Sequence, residues 1–282
     1  MGDAKEVIPA ACGPYIPERL IGQGGVAEVW QARDRRGNDV AVKIVNRAFS
    51  ASQPEMNIGE RFADEAQALT ELQHPHIVRM LSWGEDPDRW WIAMPYIRGG
   101  SLSRTMSHLG DKRLNFTLAI RYTIQMCGAL TYVHGCGIIH RDVKPANILI
   151  SGEDPQHCYL TDFGIARLVT NPRLTTAKKA IGTPEYMSPE QARGQDVDGK
   201  ADVYALACAL YEMLVDHPPF WDGSPMEIAS AHVHGKIPRI TDNRAVNDGL
   251  LLLLLEALDK NPAQRPTAVQ FAHALAPFLR RG

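Results

Sequence analysis

The spacing of hydrophobic residues changes near residue 100, and this change limits the fold more than any other property of the chain. Up to about residue 97 the apolar residues come in short strand-like runs at 15–21, 26–32 (VAEVWQA), 39–45 (DVAVKIV), 77–83 (IVRMLSW) and 90–97 (WWIAMPYI). One helix is expected among them, from about Glu60 to Leu72, with Phe62, Ala66 and Leu69 at helical spacing after a Pro- and Ser-bearing connection at 50–59. From about residue 101 the period becomes helical, and Ile120, Ile124, Cys127, Leu130 and Val133 fall three or four apart on one face. Further helices are expected near 202–215, 225–234, 250–258 and 267–279. The pattern predicts an α+β architecture in which a small β-rich lobe precedes a larger helical one, a junction that favours ligand pockets.

Composition excludes several classes of protein. With 45% hydrophobic and 22% charged residues, the 282-residue chain has the balance of a folded globular protein and not of a disordered one. A formal net charge of -2 provides no basic field, so no nucleic-acid partner is expected. The five cysteines (Cys12, Cys127, Cys136, Cys158 and Cys208) contain no C-x-x-C pair, which argues against a zinc site and a disulfide framework and for a reducing, cytoplasmic compartment. The N-terminus lacks the apolar core of a secretory signal, and Glu6 stands where a myristoylation signal has Ser or Thr. The most apolar run, Leu250 to Leu255, is far shorter than the roughly 20 residues that span a bilayer, and no membrane segment is expected in this chain.

Three constellations carry chemistry. "IGQGGVAEVW" at 21–30 joins two strands through glycines whose missing Cβ atoms let backbone N–H groups approach a phosphate, although a tight hairpin without a ligand fits as well. In "VAVK", Lys43 alternates with Val42 and Ile44, and the following helix carries Glu65. Such a pair orients an ammonium toward a polyphosphate, although a solvated strand face and a surface acid would also account for them. The third, "IIHRDVKPANILI" at 138–150, sets Asp142, Lys144 and Asn147 between apolar flanks, and Asp162 of "LTDFGIAR" follows fifteen residues after Asn147. Asn147 and Asp162 are oxygen ligands suited to Mg2+, which leaves Asp142 to face an incoming hydroxyl. A polar loop satisfied by its own backbone explains one such residue but not their joint spacing.

Taken in order, GxGxx(A)xV at 22–29, VAVK at 40–43, HRDVKPAN at 140–147, DFG at 162–164 and SPE at 188–190 resemble the protein kinase superfamily over about Tyr15 to Phe278. Ala27 stands where the glycine pattern has its third glycine. The resemblance implies a two-lobed protein kinase fold in a single domain over 1–282, with an N-lobe at about 15–97, a hinge at about 95–100 and a C-lobe at about 101–279. It implies ATP and Mg2+ as cofactors, with Mn2+ as a substitute ion, and protein Ser/Thr hydroxyls as acceptors.

The same resemblance assigns roles to residues. Lys43, paired with Glu65, would hold the α- and β-phosphates under Ile21, Gly22 and Gly24; Asn147 and Asp162 would ligate the metal; and Asp142 would accept the substrate proton. Lys144 would neutralise the transferred phosphoryl, and Thr183 would stand beside the catalytic aspartate, both as in Ser/Thr kinases. Val29, Ala41 and Leu149 would sandwich the adenine beside the gatekeeper Met94, with the Pro95 carbonyl and the Ile97 N–H as its hydrogen-bond partners. Glu190 would pair with Arg265, Asp202 would anchor the catalytic loop, and Leu69, Met80, His140 and Phe163 would form a stacked spine, which makes His140 structural.

Regulation follows by the same route. Thr170, Thr175 and Thr176 are candidate phosphorylation sites amid Arg167, Arg173, Lys178 and Lys179, with autophosphorylation expected at Thr175 or Thr176 and a transient dimer for its trans form. Ile165 implies a Thr-preferring acceptor site, and Ala146 removes an acid that some relatives use to read basic residues. "MSPEQARG" with "HRDVKPANIL" is similar to bacterial kinases of eukaryotic type, many of which are the cytoplasmic end of a longer membrane-anchored receptor, so this chain is expected to be a trimmed catalytic domain. The alternatives are a catalytically weak or inactive pseudokinase scaffold, in which Lys43, Asp142 or Asp162 would normally be lost, and a small-molecule phosphotransferase, which would lack SPE and "GTPEY".

Overall fold

Alternation along the first strands sets up a sheet with two dissimilar faces. The computed structural model describes residues 8–24, 27–46, 58–109, 113–163, 184–240 and 246–281, with backbone only at 58–61 and 280–281. Strands β1 (Ile16–Gln23), β2 (Ala27–Arg33), β3 (Asp39–Asn46), β4 (Ser82–Asp86) and β5 (Arg89–Pro95) form an antiparallel sheet in the order β1-β2-β3-β5-β4. Pairing of Trp30 with Val42, and of Val42 with Ala93, puts these residues on one face, where Cys12, Tyr15, Ala32, Val40, Ile44 and Trp91 complete a core. Tyr15 meets Trp91 edge-on at 5.8 Å and shares a 2.8 Å hydrogen bond with Ser82.

The opposite face carries Val29, Lys43, Ala41, Ile92 and Met94, which the register places across from one another. Helix α1 (Ile58–Thr70) packs on this side through Phe62, whose ring stacks on Trp90 at 5.4 Å, while Ala66 and Leu69 are buried along the same stripe.

The expected strand at 77–83 lies elsewhere. Ile77 forms an isolated parallel bridge with Leu160, and the strand that pairs with β5 is Ser82–Asp86. A hairpin turn at Pro87-Asp88 sets that register, so the polar run SWGED becomes the edge strand and the apolar run before it does not. Gly84 lies opposite Trp91, where an added Cβ would come within 2.3 Å of the indole.

Packing divides the chain into two compact units, one built from the residues up to Gln73 together with Val78–Ile97, the other from His74–Ile77 together with nearly everything from Arg98 onward. The second unit is mainly helical. It contains α2 (Leu102–His108), α3 (Phe116–Gly135), α4 (Pro189–Ala192), α5 (Gly199–Val215), α6 (Pro225–His234), α7 (Asp248–Ala257) and α8 (Ala268–Leu275). Side-chain caps start all seven: Ser101, Asn115, Ser188, Asp198, Ser224, Asn247 and Thr267 each accept a backbone N–H of the first turn.

Helix α5 is buried from Ala201 to Val215 except at Glu212, so it is the centre of this unit, with α3 and α8 packed around it. Helix α2, which has too few turns to show a period, docks through buried Leu102 and Met106. The predicted helix at 267–279 stays α-helical only to Leu275 and continues as a 3-10 turn, Ala276–Arg281. Between the helices, β6 (Ile148–Ile150) and β7 (Cys158–Leu160) form a small antiparallel pair that carries the polar loop before it.

Candidate active site

The polar middle of "IIHRDVKPANILI" is held in place by a residue sixty positions away. Asp202, in the first turn of α5 and 1% exposed, accepts the backbone N–H of His140 at 2.9 Å and of Arg141 at 2.7 Å, and His134 Nε2 lies 2.8 Å from the same carboxylate. Arg141 has φ 64, a left-handed backbone that a non-glycine residue adopts at a cost of about 1 kcal/mol, and the Asp202 hydrogen bonds hold it there. His140 is fully buried: its Nδ1 accepts the Asp142 N–H at 3.2 Å, so Nε2 carries the proton and donates to the Thr161 carbonyl at 2.9 Å. With both ring nitrogens occupied, His140 supports the loop.

Beyond this anchor the chain turns through a 3-10 segment, Pro145–Asn147. The turn brings three polar side chains together. Lys144 Nζ lies 2.9 Å from Asp142 Oδ2, and Asn147 Nδ2 donates to that oxygen at 2.9 Å and to the Asp142 carbonyl at 2.7 Å. The Asn147 carbonyl in turn receives the Thr161 N–H at 3.0 Å, which ties this loop to the chain entering Asp162. Asp162 is itself left-handed at φ 62, and the next residue, Phe163, packs its ring on His140 at 4.8 Å. Leu149, half-buried in β6, bridges Ser101.

A second anchor lies in the same unit. Arg265 is fully buried and binds Glu190 bidentately at 2.7 and 2.8 Å, with further bonds to the Asp259 and Lys200 carbonyls at 2.7 and 3.1 Å. Burial alone would push the Glu190 carboxyl up, but the Arg265 hydrogen bonds outweigh it and bring the group below its ordinary value.

In the first unit, Gly22 pairs with Val29, Val29 with Lys43 and Ala41 with Met94, so these five residues line one face of the sheet. Ile21 is exposed, the Gly24 N–H bonds the Ala27 carbonyl at 2.8 Å, and Glu65 is exposed on α1, which packs on this same face. Pro95 ends β5, and the chain passes into the second unit after Ile97. Leu69 is buried on α1 and Met80 half-buried. Thr183 lies outside the described residues, as do Thr170, Thr175, Thr176, Ile165 and the basic residues Arg167, Arg173, Lys178 and Lys179.

Sequence reasoning missed His134 and Gly199. A Cβ at Gly199 would sit 2.6 Å from His134 Nδ1, so the glycine that opens α5 leaves room for the ring that reaches Asp202. One short signal was present, a histidine in the last turn of α3, but its partner is 68 residues away. All five cysteines are free, and burial pushes the Cys127, Cys158 and Cys208 thiols up, which keeps them unreactive. Among the described residues there is no metal-binding group of three His, Cys, Asp or Glu side chains, and no helix long and apolar enough to cross a membrane.

Known proteins are similar to this chain in sequence and in fold. Among curated proteins, serine/threonine-protein kinase PknD of Mycobacterium tuberculosis is 37% identical over 268 residues, covering 94% of this chain and 39% of that protein. PknB of Mycobacterium leprae is 41% identical over 264 residues (89% and 41%), and pkn3 of Myxococcus xanthus is 37% identical over 266 (91% and 48%). The chain thus spans less than half the length of these relatives. The Mycobacterium tuberculosis PknI kinase domain, solved as a point mutant, superposes with a TM-score of 0.74 at 28% identity over 99% of both chains. Rad53 1-466 in complex with AMP-PNP gives 0.74 at 26% identity over 94% of this chain and 64% of that one. The fold is the two-lobed protein kinase fold, with an antiparallel sheet in one lobe and helices in the other. A family model for the protein kinase domain matches residues 15–275, and this chain belongs to that family.

Proposed function

We propose that the chain is a Mg-ATP-dependent serine/threonine protein kinase, a single catalytic domain that transfers the γ-phosphoryl group of ATP to Ser and Thr hydroxyls of proteins, itself included. The observation that carries this reading is the Asp142 carboxylate, fixed by Lys144 at 2.9 Å and Asn147 at 2.9 Å on a loop that Asp202 holds through two consecutive N–H groups. A base held this way needs little reorganisation when the substrate hydroxyl arrives.

Asp142 takes the hydroxyl proton as the oxygen bonds to the γ-phosphorus, while the bond from that phosphorus to the β,γ-bridging oxygen breaks and ADP leaves. Lys144, beside it, faces the negative charge of the moving phosphoryl group. Lys43 holds the α- and β-phosphates, while Ile21, Val29, Ala41 and Met94 of the same sheet face the adenine and the Pro95 carbonyl and Ile97 N–H hydrogen-bond its edge; Leu149 of β6 is assigned to the adenine by resemblance alone. The AMP-PNP complex of Rad53, a structural relative, supports a nucleotide in this role.

The residues fit Mg2+. Asn147 uses its NH2 group on the Asp142 carbonyl and Oδ2, which makes its amide oxygen the acceptor that remains, and Asp162 adds a carboxylate. Two hard oxygen ligands on the protein suit Mg2+, with Mn2+ able to replace it. When bound, the ion supplies charge neutralisation at the β- and γ-phosphate oxygens.

The test is transfer from radiolabelled ATP by the wild type and Asp142→Asn, scored on a generic protein substrate, on the chain itself and on small alcohols. Loss of the base lowers the protein rate by about 10²- to 10⁴-fold; an equally active variant, or label found only on small alcohols, overturns the reading. Autophosphorylation at Thr175 or Thr176 and a Thr preference set by Ile165 rest on sequence. Mass spectrometry of a fully active preparation and a Ser/Thr peptide pair check them, and unmodified threonines or equal turnover would refute each in turn. Five free cysteines, four of them buried, favour a reducing cytoplasmic setting.

A further inference from the structure

The Arg141–Asp142 peptide unit is gripped from two directions. Its N–H, which belongs to Asp142, donates to His140 Nδ1 at 3.2 Å, and its carbonyl, which belongs to Arg141, accepts Gln191 Nε2 at 3.1 Å. A peptide is planar, so fixing both its oxygen and its hydrogen fixes the plane from which the Asp142 side chain departs.

Gln191 is itself held in place. It is the third residue of α4, and its Oε1 accepts the Ser188 backbone N–H at 3.0 Å and lies 3.1 Å from Ser188 Oγ, closing a capping box around a fully buried serine. One amide therefore does two jobs: its oxygen caps α4 and its nitrogen holds the peptide before the proposed base. The residue it holds, Arg141, is in the left-handed region, where an unrestrained non-glycine residue would relax.

We propose that Gln191 is a positioning residue for phosphoryl transfer, tying the Ser188–Gln191 segment to the Asp142 peptide. This rests on the kinase reading above. The two halves of the amide separate its roles, because glutamate keeps the capping oxygen but replaces the donor with an oxygen that the Arg141 carbonyl repels.

The test uses Gln191→Glu and Gln191→Ala in the full chain, read by thermal melting, amide hydrogen exchange over 138–150 and steady-state kinetics with ATP and a protein substrate. Gln191→Glu melts close to the wild type, exchanges faster in the catalytic loop, and loses about three- to tenfold in kcat with an unchanged KM for ATP, the range for one lost hydrogen bond. Gln191→Ala shows the same kcat loss without added charge, together with a lower melting temperature from the broken cap. Unchanged exchange in Gln191→Glu, unchanged kcat, or a kcat loss that only tracks melting would each overturn the assignment. A wild type that exchanges slowly here but transfers no phosphate would sink the kinase reading, and the positioning role with it.

Discussion

Replacing Glu190 by Gln tests the energetics of the second unit most directly. The side chains of Arg265 and Glu190 are 0% and 4% exposed, so the guanidinium has no water to turn to when its carboxylate goes. Breaking one side of a buried pair costs about 3–5 kcal/mol, chiefly because the remaining charge is stranded. At roughly 2 °C per kcal/mol for a chain of this size, the melting temperature should fall by about 6–10 °C.

Acidity supplies an internal control. The Glu190 carboxyl is depressed below its ordinary 4.5, so its contribution is present above that value and is lost as pH falls through the lower folded value. The gap between wild type and Glu190→Gln is widest at neutral pH and closes in acid. A double variant, Glu190→Leu with Arg265→Met, should lose less than the sum of the two single variants, although the Asp259 and Lys200 carbonyls still lose their donor. A Glu190→Gln melt within about 2 °C of wild type at neutral pH, or strict additivity, would refute the reasoning.

Asp202→Asn removes one of the two acceptor oxygens that hold the His140 and Arg141 N–H groups and costs about 1–3 kcal/mol, together with at least a tenfold fall in phosphoryl transfer; melts and rates matching wild type would contradict the anchor. Gly99→Ala forces a Cβ to within 2.1 Å of the Ile150 carbonyl oxygen and destabilises by about 1–3 kcal/mol, whereas Gly135→Ala, in open space at the end of α3, is neutral or stabilising; denaturant titration compares them. Burial lowers the Lys260 ammonium from 10.5 to about 8 beside the Phe220 ring, so the folded state binds fewer protons than the unfolded state between these values and stability rises with pH there. Lys260→Met should remove that rise from the pH dependence of melting, and a rise that persists would assign it elsewhere.

Much of this protein was legible in its residue order. Helix α6 falls at 225–234 as expected, and the strands around Trp30 and Lys43 follow their alternation, because local periodicity reports which face of an element is buried. Strand β4 was misread because its register comes from a hairpin with β5 and from the space Gly84 leaves for Trp91, both set outside the apolar run. Helix α2 is too short to carry a period.

For the site the division has the same cause. Residue types and spacing alone determined which side chains cluster in the loop at 140–147, since turn chemistry at Pro145 brings Asp142, Lys144 and Asn147 within hydrogen-bond reach over a few residues. Resemblance named Asp202 as an anchor of that loop, and only the tertiary structure decided what else holds it still. His134, Gly199 and Gln191 act across 50 or more positions through a buried carboxylate, a missing Cβ and an amide, and contacts of that range leave no period in a sequence because their geometry exists only once the helices have packed.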